Sequence, residues 1–326
     1  MKIRILLICV ATIACLSCFE AKKIRMNIKS PTTFSVTSPI TNVPNPYVSF
    51  RNCPPGIRES AKQFCPVITL TTEQFFGLQL AMNQDRAYST SCIKGMREVK
   101  GNYCPQLTHK CIKGSANTIT GNVIPNYFCD IYEIGSASCR GKEKPIHICI
   151  DEYEFPNVPG ENPVIMKSWY EAHALCKAAG KRLCGDEEWT LACEGPERKP
   201  YPYGWSRDAT ACNIDNPGKR DANTDGKLMR GGDIRDNELA RIWNGLPSGA
   251  SPRCKSDFDV YDMTGNVDEV TDNISRSGYP YKDLWKGGHW VKGARNRCRP
   301  DTDGHNEYFG YYANGFRCCA NIIERK

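Results

Sequence analysis

Cysteine is the residue type that sets the chemistry open to this chain. Nineteen occur in 326 residues; Cys9, Cys15 and Cys18 lie in the N-terminal leader, and sixteen run from Cys53 to Cys319. No CxxC pair occurs among those sixteen, which argues against zinc knuckles. An even count in an exported chain reads as a disulfide framework. A second candidate chemistry uses oxygen. Asp262, Gly265, Val267 and Glu269 fall in one tight turn, where two carboxylates and two backbone carbonyls can face a hard cation. The competing reading makes these residues turn formers that hydrogen-bond their own backbone. A third candidate is the alternation Arg295, Arg297, Arg299 downstream of His289. Guanidinium forks lining a groove suit an anionic or carboxylate ligand, although an exposed hairpin edge gives the same pattern. Tyr308, Phe309, Tyr311 and Tyr312 can wall such a pocket or simply pack. His173, His289 and His305 are too scattered to specify a metal site. No nucleophile elbow, phosphate-binding loop or dinucleotide fingerprint is present.

These residues need elements to hold them. Lys2 and Arg4 precede an apolar run from Ile5 to Leu16, the pattern of a secretory signal and too short for a stable membrane span. Cys15-Leu16-Ser17 before Cys18 resembles a loose bacterial lipobox with Cys18 as the acylated residue; Thr12-Ile13-Ala14 before Cys15 is a rival, and an ordinary cleaved signal is the plainer option. Residues 1–18 are thus expected to be a lipoprotein-type signal and residues 19–50, rich in Pro, Ser, Thr and Asn, a flexible tether. Residues 51–92 read as a small Cys-containing region with a helix from Thr71 to about Asn83, and residues 93–326 as the main domain. Short strands are expected at Arg97–Val99, His109–Ile112 and Ile146–Ile150. Ser168 and Glu171 form a capping box for a helix that Gly180 ends, and Asp186 caps a second helix carrying Trp189, Ala192 and Cys193. Beyond residue 195 the pattern is of turns and short strands. Net charge is +7 without a long basic block, so no nucleic-acid partner is expected. A mean hydropathy of -0.50 excludes a polytopic membrane protein.

A set of motifs points further. The strings Asn162-Pro-Val-Ile-Met-Lys-Ser-Trp-Tyr-Glu-Ala172 and Gly180-Lys-Arg-Leu-Cys-Gly-Asp-Glu-Glu-Trp189 resemble the formylglycine-generating enzyme (sulfatase-modifying factor) family. So do Tyr201-Pro-Tyr-Gly204, Cys212-Asn-Ile214, Tyr261-Asp-Met-Thr-Gly-Asn-Val267, Lys286-Gly-Gly288 and Asn314-Gly-Phe-Arg-Cys318, in family order over residues 93–320. The resemblance implies an α+β single domain, sparse in regular structure, disulfide-stapled and related to C-type lectin-like folds. It implies bridges Cys176–Cys318 and Cys193–Cys298; Cys184 and Cys319 sit next to those pairs and are expected to bond to each other, as are Cys212 and Cys254. It also implies structural calcium at Asp262, Gly265, Val267 and Glu269, and a second site at Asn213, Ile214, Asp225 and the Lys227 carbonyl.

The resemblance fails at the reaction centre. The family oxidises a cysteine in a Cys-x-Pro-x-Arg segment to formylglycine with copper and oxygen, and two cysteines after a Gly-Gly-Ser stretch hold the copper. Here no cysteine lies between Gly288 and Cys298, His289 replaces the serine, and Asp268 and Val270 replace the usual tryptophans. No copper is expected, because a soft Cu(I) ion needs thiolates. The expectation is therefore an exported, lipid-anchored, non-oxidising member at a bacterial cell envelope, binding a peptide, protein or glycan through a groove near His289, Arg295, Arg297 and Arg299. The rival is an active oxidase, or another metal-dependent oxidoreductase, with non-standard ligands. A purely structural envelope protein is a third reading.

Overall fold

The structure, a computed structural model, describes residues 35–36, 47–51, 67–71, 91–115, 128–230, 232–293, 295–303 and 305–323. The leader with Cys18, the cysteines Cys53 and Cys65, and the helix expected from Thr71 to Asn83 lie outside the described residues, except that Thr71 itself ends a strand. The chain divides into two units, residues 1–72 and 73–326. In the first, strands β1 (Ser35–Val36), β2 (Tyr47–Arg51) and β3 (Val67–Thr71) form an antiparallel sheet. Strand β1 and most of β2 fall in the segment read as a tether, so neither the 50/51 nor the 92/93 boundary coincides with the division between units.

The second unit opens with β4 (Met96–Tyr103), β5 (Gln106–Thr108), β6 (Cys111–Ser115), β7 (Phe128–Tyr132), β8 (Ser138–Arg140) and β9 (Lys144–Asp151). Helix α1 (Trp169–Ala178) starts at the capping box: the Glu171 amide donates to the Ser168 hydroxyl and the Ser168 amide to the Glu171 carboxylate at 2.9 Å. It ends at Gly180, whose φ of +73° lets the Lys181 amide return to the Cys176 carbonyl. After β10 (Arg182–Leu183), helix α2 (Asp186–Glu194) begins one residue beyond its N-cap, which is Gly185 rather than Asp186. Helices α3 (Thr224–Arg230) and α4 (Gly232–Ile242) occupy a stretch that the sequence pattern gives as turns. Helix α4 buries only Glu238 and Ile242 fully, so it carries little apolar period. Short strands β11 (Asp268–Asp272), β12 (Asp283–Lys286), β13 (Asp301–Thr302), β14 (Asn314–Phe316) and β15 (Cys318–Asn321) complete the domain.

Two four-stranded sheets organise the site. One has the order β10-β15-β9-β4, the other β13-β12-β11-β14, in which β11 runs parallel to β14 and antiparallel to β12. Helix α2 sets Trp189, Leu191 and Ala192 into a core with Val99, Ile148, Ile150 and Met263. Disulfides supplement that core. The fourteen described cysteines form seven bridges: Cys92–Cys149, Cys104–Cys139, Cys111–Cys129, Cys176–Cys318, Cys184–Cys319, Cys193–Cys298 and Cys212–Cys254. Three of them tie α1, β10 and α2 to the C-terminal segment.

Candidate functional site

Strand β11 has an unusual composition for its surroundings. Residues Asp268, Glu269, Val270 and Thr271 are all buried, a position where apolar runs are normal. A buried carboxylate must be paired or lose its charge. The two acids at its start solve this in different ways, and the solutions define two sites.

Glu269 is met by Arg317, which follows β14 and is itself fully buried. The guanidinium grips both carboxylate oxygens at 2.6 Å, and the Trp189 indole N–H donates to Oε2 at 2.8 Å. Arg317 spends further donors on the carbonyls of Asp151 and Tyr261. Beside this pair, Asp262 sits at a positive φ of 57° and accepts from the Gly249 amide at 2.7 Å. The Glu154 carboxylate is held by Asn266 Nδ2 at 2.9 and 3.0 Å and by the Ser248 hydroxyl at 2.8 Å. Burial, then the charges of Asp262 and Glu269, push Glu154 well above the carboxylate range; burial lifts Asp262 to about 6.

In the first expected calcium set both Glu269 oxygens already accept from Arg317, and Gly265 is packed against the Asn213 carbonyl so closely that a Cβ there would stand 2.4 Å from its oxygen. Asp262 Oδ1 and the Gly265 carbonyl have no described hydrogen bond, and Val267 offers its carbonyl. The side chains of the second set make other contacts. Asn213 donates to Asn266 Oδ1 at 2.9 Å and accepts from Asn216, next to the apolar Ile214, whereas Asp225 is exposed on α3 and forked by Arg220 at 2.7 and 2.8 Å. The Lys227 carbonyl belongs to the same short helix, and its ammonium pairs with Glu238. Among the described residues no group of three or more His, Cys, Asp or Glu side chains is disposed to hold a metal.

Asp268 anchors the other site. Arg295 reaches both of its oxygens at 2.6 Å, the Gly288 amide donates at 3.0 Å, and His289 Nδ1 stands 3.6 Å away. Burial would raise this carboxyl, but Arg295 and His289 outweigh it and hold it below the usual range. The close approach of strand and loop depends on Gly288, whose φ is +69° and where a Cβ would meet Asn296 Nδ2 at 2.9 Å. Trp290 and Tyr312 flank the imidazole edge-on, and His289 Nε2 is buried with no hydrogen-bond partner among the described residues. Next to Tyr312, Arg220 stacks over the rings of Tyr311 and Tyr312 at 5.3 and 5.5 Å.

The three alternate arginines do not line one groove. Arg295 belongs to Asp268; Arg297 donates to the Tyr132 hydroxyl; Arg299 forks the buried Glu194 at 2.7 Å on both arms. His173 pairs with Asp272 at 2.6 Å, and His305 stacks on Phe309 and Trp285. Of the expected groove, His289 and Arg295 are brought together. Asp268, the residue that joins them, enters the sequence reading only as a replacement for tryptophan; its signal is an acid placed in a buried strand. Arg317, Glu154 and Arg220 carry no comparable signal.

The domain is thus a disulfide-stapled α+β scaffold whose two acidic strand positions are closed by arginine. Residues 149–322, more than half of the chain, match the family described as the sulfatase-modifying factor enzyme 1-like domain. The chain belongs to that family. Two similar relatives are the inactive C-alpha-formylglycine-generating enzyme 2 of Bos taurus, 29% identical over 167 residues, and that of Mus musculus, 29% identical over 168. Each match covers 49% of this chain and 50% of the relative, so the chain spans about half the length of the curated relatives it matches. Among solved structures, CarF aligns over 72% of this chain and all of its own, with a TM-score of 0.44 and 12% identity. PvdO from Pseudomonas aeruginosa aligns over 73% of this chain and 98% of its own, at 0.40 and 14%.

Proposed function

We propose that this protein is a non-oxidising member of the family that uses the Asp268 site to bind an extended peptide or glycan outside the cytoplasm. The observation that carries this reading is the fate of the segment after Gly288. It contains no cysteine before Cys298, and the Cys298 sulfur is bonded to Cys193. A Cu(I) ion therefore lacks its soft ligands there. The space at the start of β11 is taken by the Asp268–Arg295 pair and His289. That the two curated relatives carry the word inactive in their names supports the same reading.

The site is suited to recognition. Arg295 uses two of its five N–H groups on Asp268, which fixes its plane and leaves the rest for an acceptor such as a carboxylate or sugar hydroxyl. His289 Nε2 is a second group in need of a partner. Half-buried Tyr311 supplies apolar surface, backed by the buried rings of Trp290 and Tyr312. The seven disulfides among the described residues support folding in an oxidising compartment, and acylation at Cys18 would add a membrane anchor to an exported chain.

Two measurements test this. With the oxidised chain and a Cys-x-Pro-x-Arg peptide, no oxygen uptake and no aldehyde product are expected; catalytic turnover would overturn the non-oxidase reading and favour an oxidase with other ligands. On peptide and glycan arrays, wild-type hits should be lost at least tenfold in His289→Ala and Arg295→Gln. Hits that survive both changes would place recognition elsewhere. For the anchor, labelled fatty acid should be incorporated by the wild type and not by Cys18→Ser.

A further inference from the structure

A polar cavity of about 360 Å3 opens where the N-terminal turn of α2 faces β5, β12 and the loop after β11. Asp268, His289 and Arg295 are not part of its wall. Most of its charges cancel one another. Lys144 pairs with Glu187, Arg276 with Asp301, and Arg299 with Glu194. Two opposite charges on the wall have no ion-pair partner among the described residues: Lys286 and Asp186.

Both are built in. Lys286, the last residue of β12, is 2% exposed; its ammonium makes a single described hydrogen bond, to the Arg299 carbonyl at 2.7 Å, and lies 5.6 Å from the Trp189 ring centre. Two N–H donors are left over in a site shielded from solvent, a costly arrangement unless something accepts them. Asp186 is 3% exposed, and its Oδ1 accepts from the amides of Ile274 and Ser275 at 2.9 and 3.1 Å. Oδ2 has no described partner. Burial draws Lys286 down to about 8, while Asp301, Asp186 and Glu194 act to keep it charged, so the ammonium form persists at neutral pH.

We propose that this cavity binds a small zwitterion of the α-amino acid class, its carboxylate on Lys286 and its ammonium on Asp186. A simple anion would satisfy Lys286 and leave Asp186 facing a like charge; a simple cation would do the reverse. A ligand with both charges satisfies both walls at once. The volume lies at the small end of ligand cavities, roughly 300–1,000 Å3, and the charged walls disfavour lipids and flat aromatics.

The test uses the full oxidised chain and each of the twenty free L-amino acids as probe, read by saturation-transfer NMR and calorimetry at pH 7. At least one should bind at a single site. Its N-acetyl and its carboxamide derivatives should each bind at least tenfold more weakly, and Lys286→Met and Asp186→Asn should each cost at least tenfold. If either variant fails to fold, the two derivatives still decide the matter on the wild type. Three results would overturn the proposal: no amino acid binds, the N-acetyl form binds as tightly as the free one, or binding survives both substitutions.

Discussion

Cys176–Cys318 and Cys184–Cys319 close sequence separations of 142 and 135 residues. Taken singly, the chain-entropy relation assigns each about 5 kcal/mol. They are not independent, because Cys318 and Cys319 are neighbours and α1 with β10 joins Cys176 to Cys184. With Cys184–Cys319 intact, breaking the other bridge frees a path of only about nine residues. That costs about 2.6 kcal/mol. Once one bridge is gone, Cys193–Cys298 still shortens the way between the remaining ends to about thirty residues, so losing the second costs about 3.6 kcal/mol. Removing both should cost about 6 kcal/mol, not about 10. The assay is guanidinium unfolding, without reductant, of C176A/C318A, C184A/C319A and the four-fold variant, with a small common addition for the lost sulfurs. A loss near 5 kcal/mol or more from either pair alone, with a four-fold loss near 10 kcal/mol, would show the bridges to be uncoupled and refute the reasoning.

Three further outcomes follow from the buried charges. Arg317→Met should destabilise by about 3–5 kcal/mol in the same assay, because it strands Glu269 beside Glu154 and Asp262, and adding Glu269→Gln should recover part of that. Asp262 is lifted from the usual value near 3.8 to about 6, so the native state holds more protons than the unfolded chain between those pH values and stability falls as pH rises through that window. Asp262→Asn should flatten the fall in stability from pH 4 to 7 by about 3 kcal/mol, and the slope that remains belongs to Glu154 and the other raised carboxyls. EDTA should leave Tm unchanged, since Arg317 already occupies Glu269; a fall restored by added calcium would show that a cation competes for that carboxylate.

What was legible in the sequence has a common physical form. The capping box at Ser168 and Glu171 is local, made within three residues, and it folds as written. Cysteine parity is global but simple, and a chain with seven described bridges fits it. Helices α3 and α4 are not legible because the one residue α4 buries most, other than Ile242, is an acid: Glu238 is satisfied by Thr224, Lys227 and Arg241, partners spread over seventeen residues. The site is partly legible for the same reason. His289 and Arg295 stand close in sequence, whereas Asp268 meets Arg295 through the pairing of β11 with β12, and Glu269 meets Arg317 through its pairing with β14.

Strand pairing also explains how the side chains at the start of β11 can change without a loss of shape. The β11 backbone is held by β12 on one side and β14 on the other, so its side chains are free to change provided that their charges are met. Acids at residues 268 and 269 would each be costly alone in this setting. Arg295 and Arg317 arrive from different segments, one after the Gly287-Gly288 turn and one between β14 and β15, and each forms a two-pronged bond to its own acid. The two pairs differ in exposure: Arg317 is sealed in the core, while the Arg295 side chain keeps 28% of its surface open. The sealed pair can serve only the fold. The open one, beside an imidazole nitrogen with no partner among the described residues, is the pair that still has donors to offer a ligand.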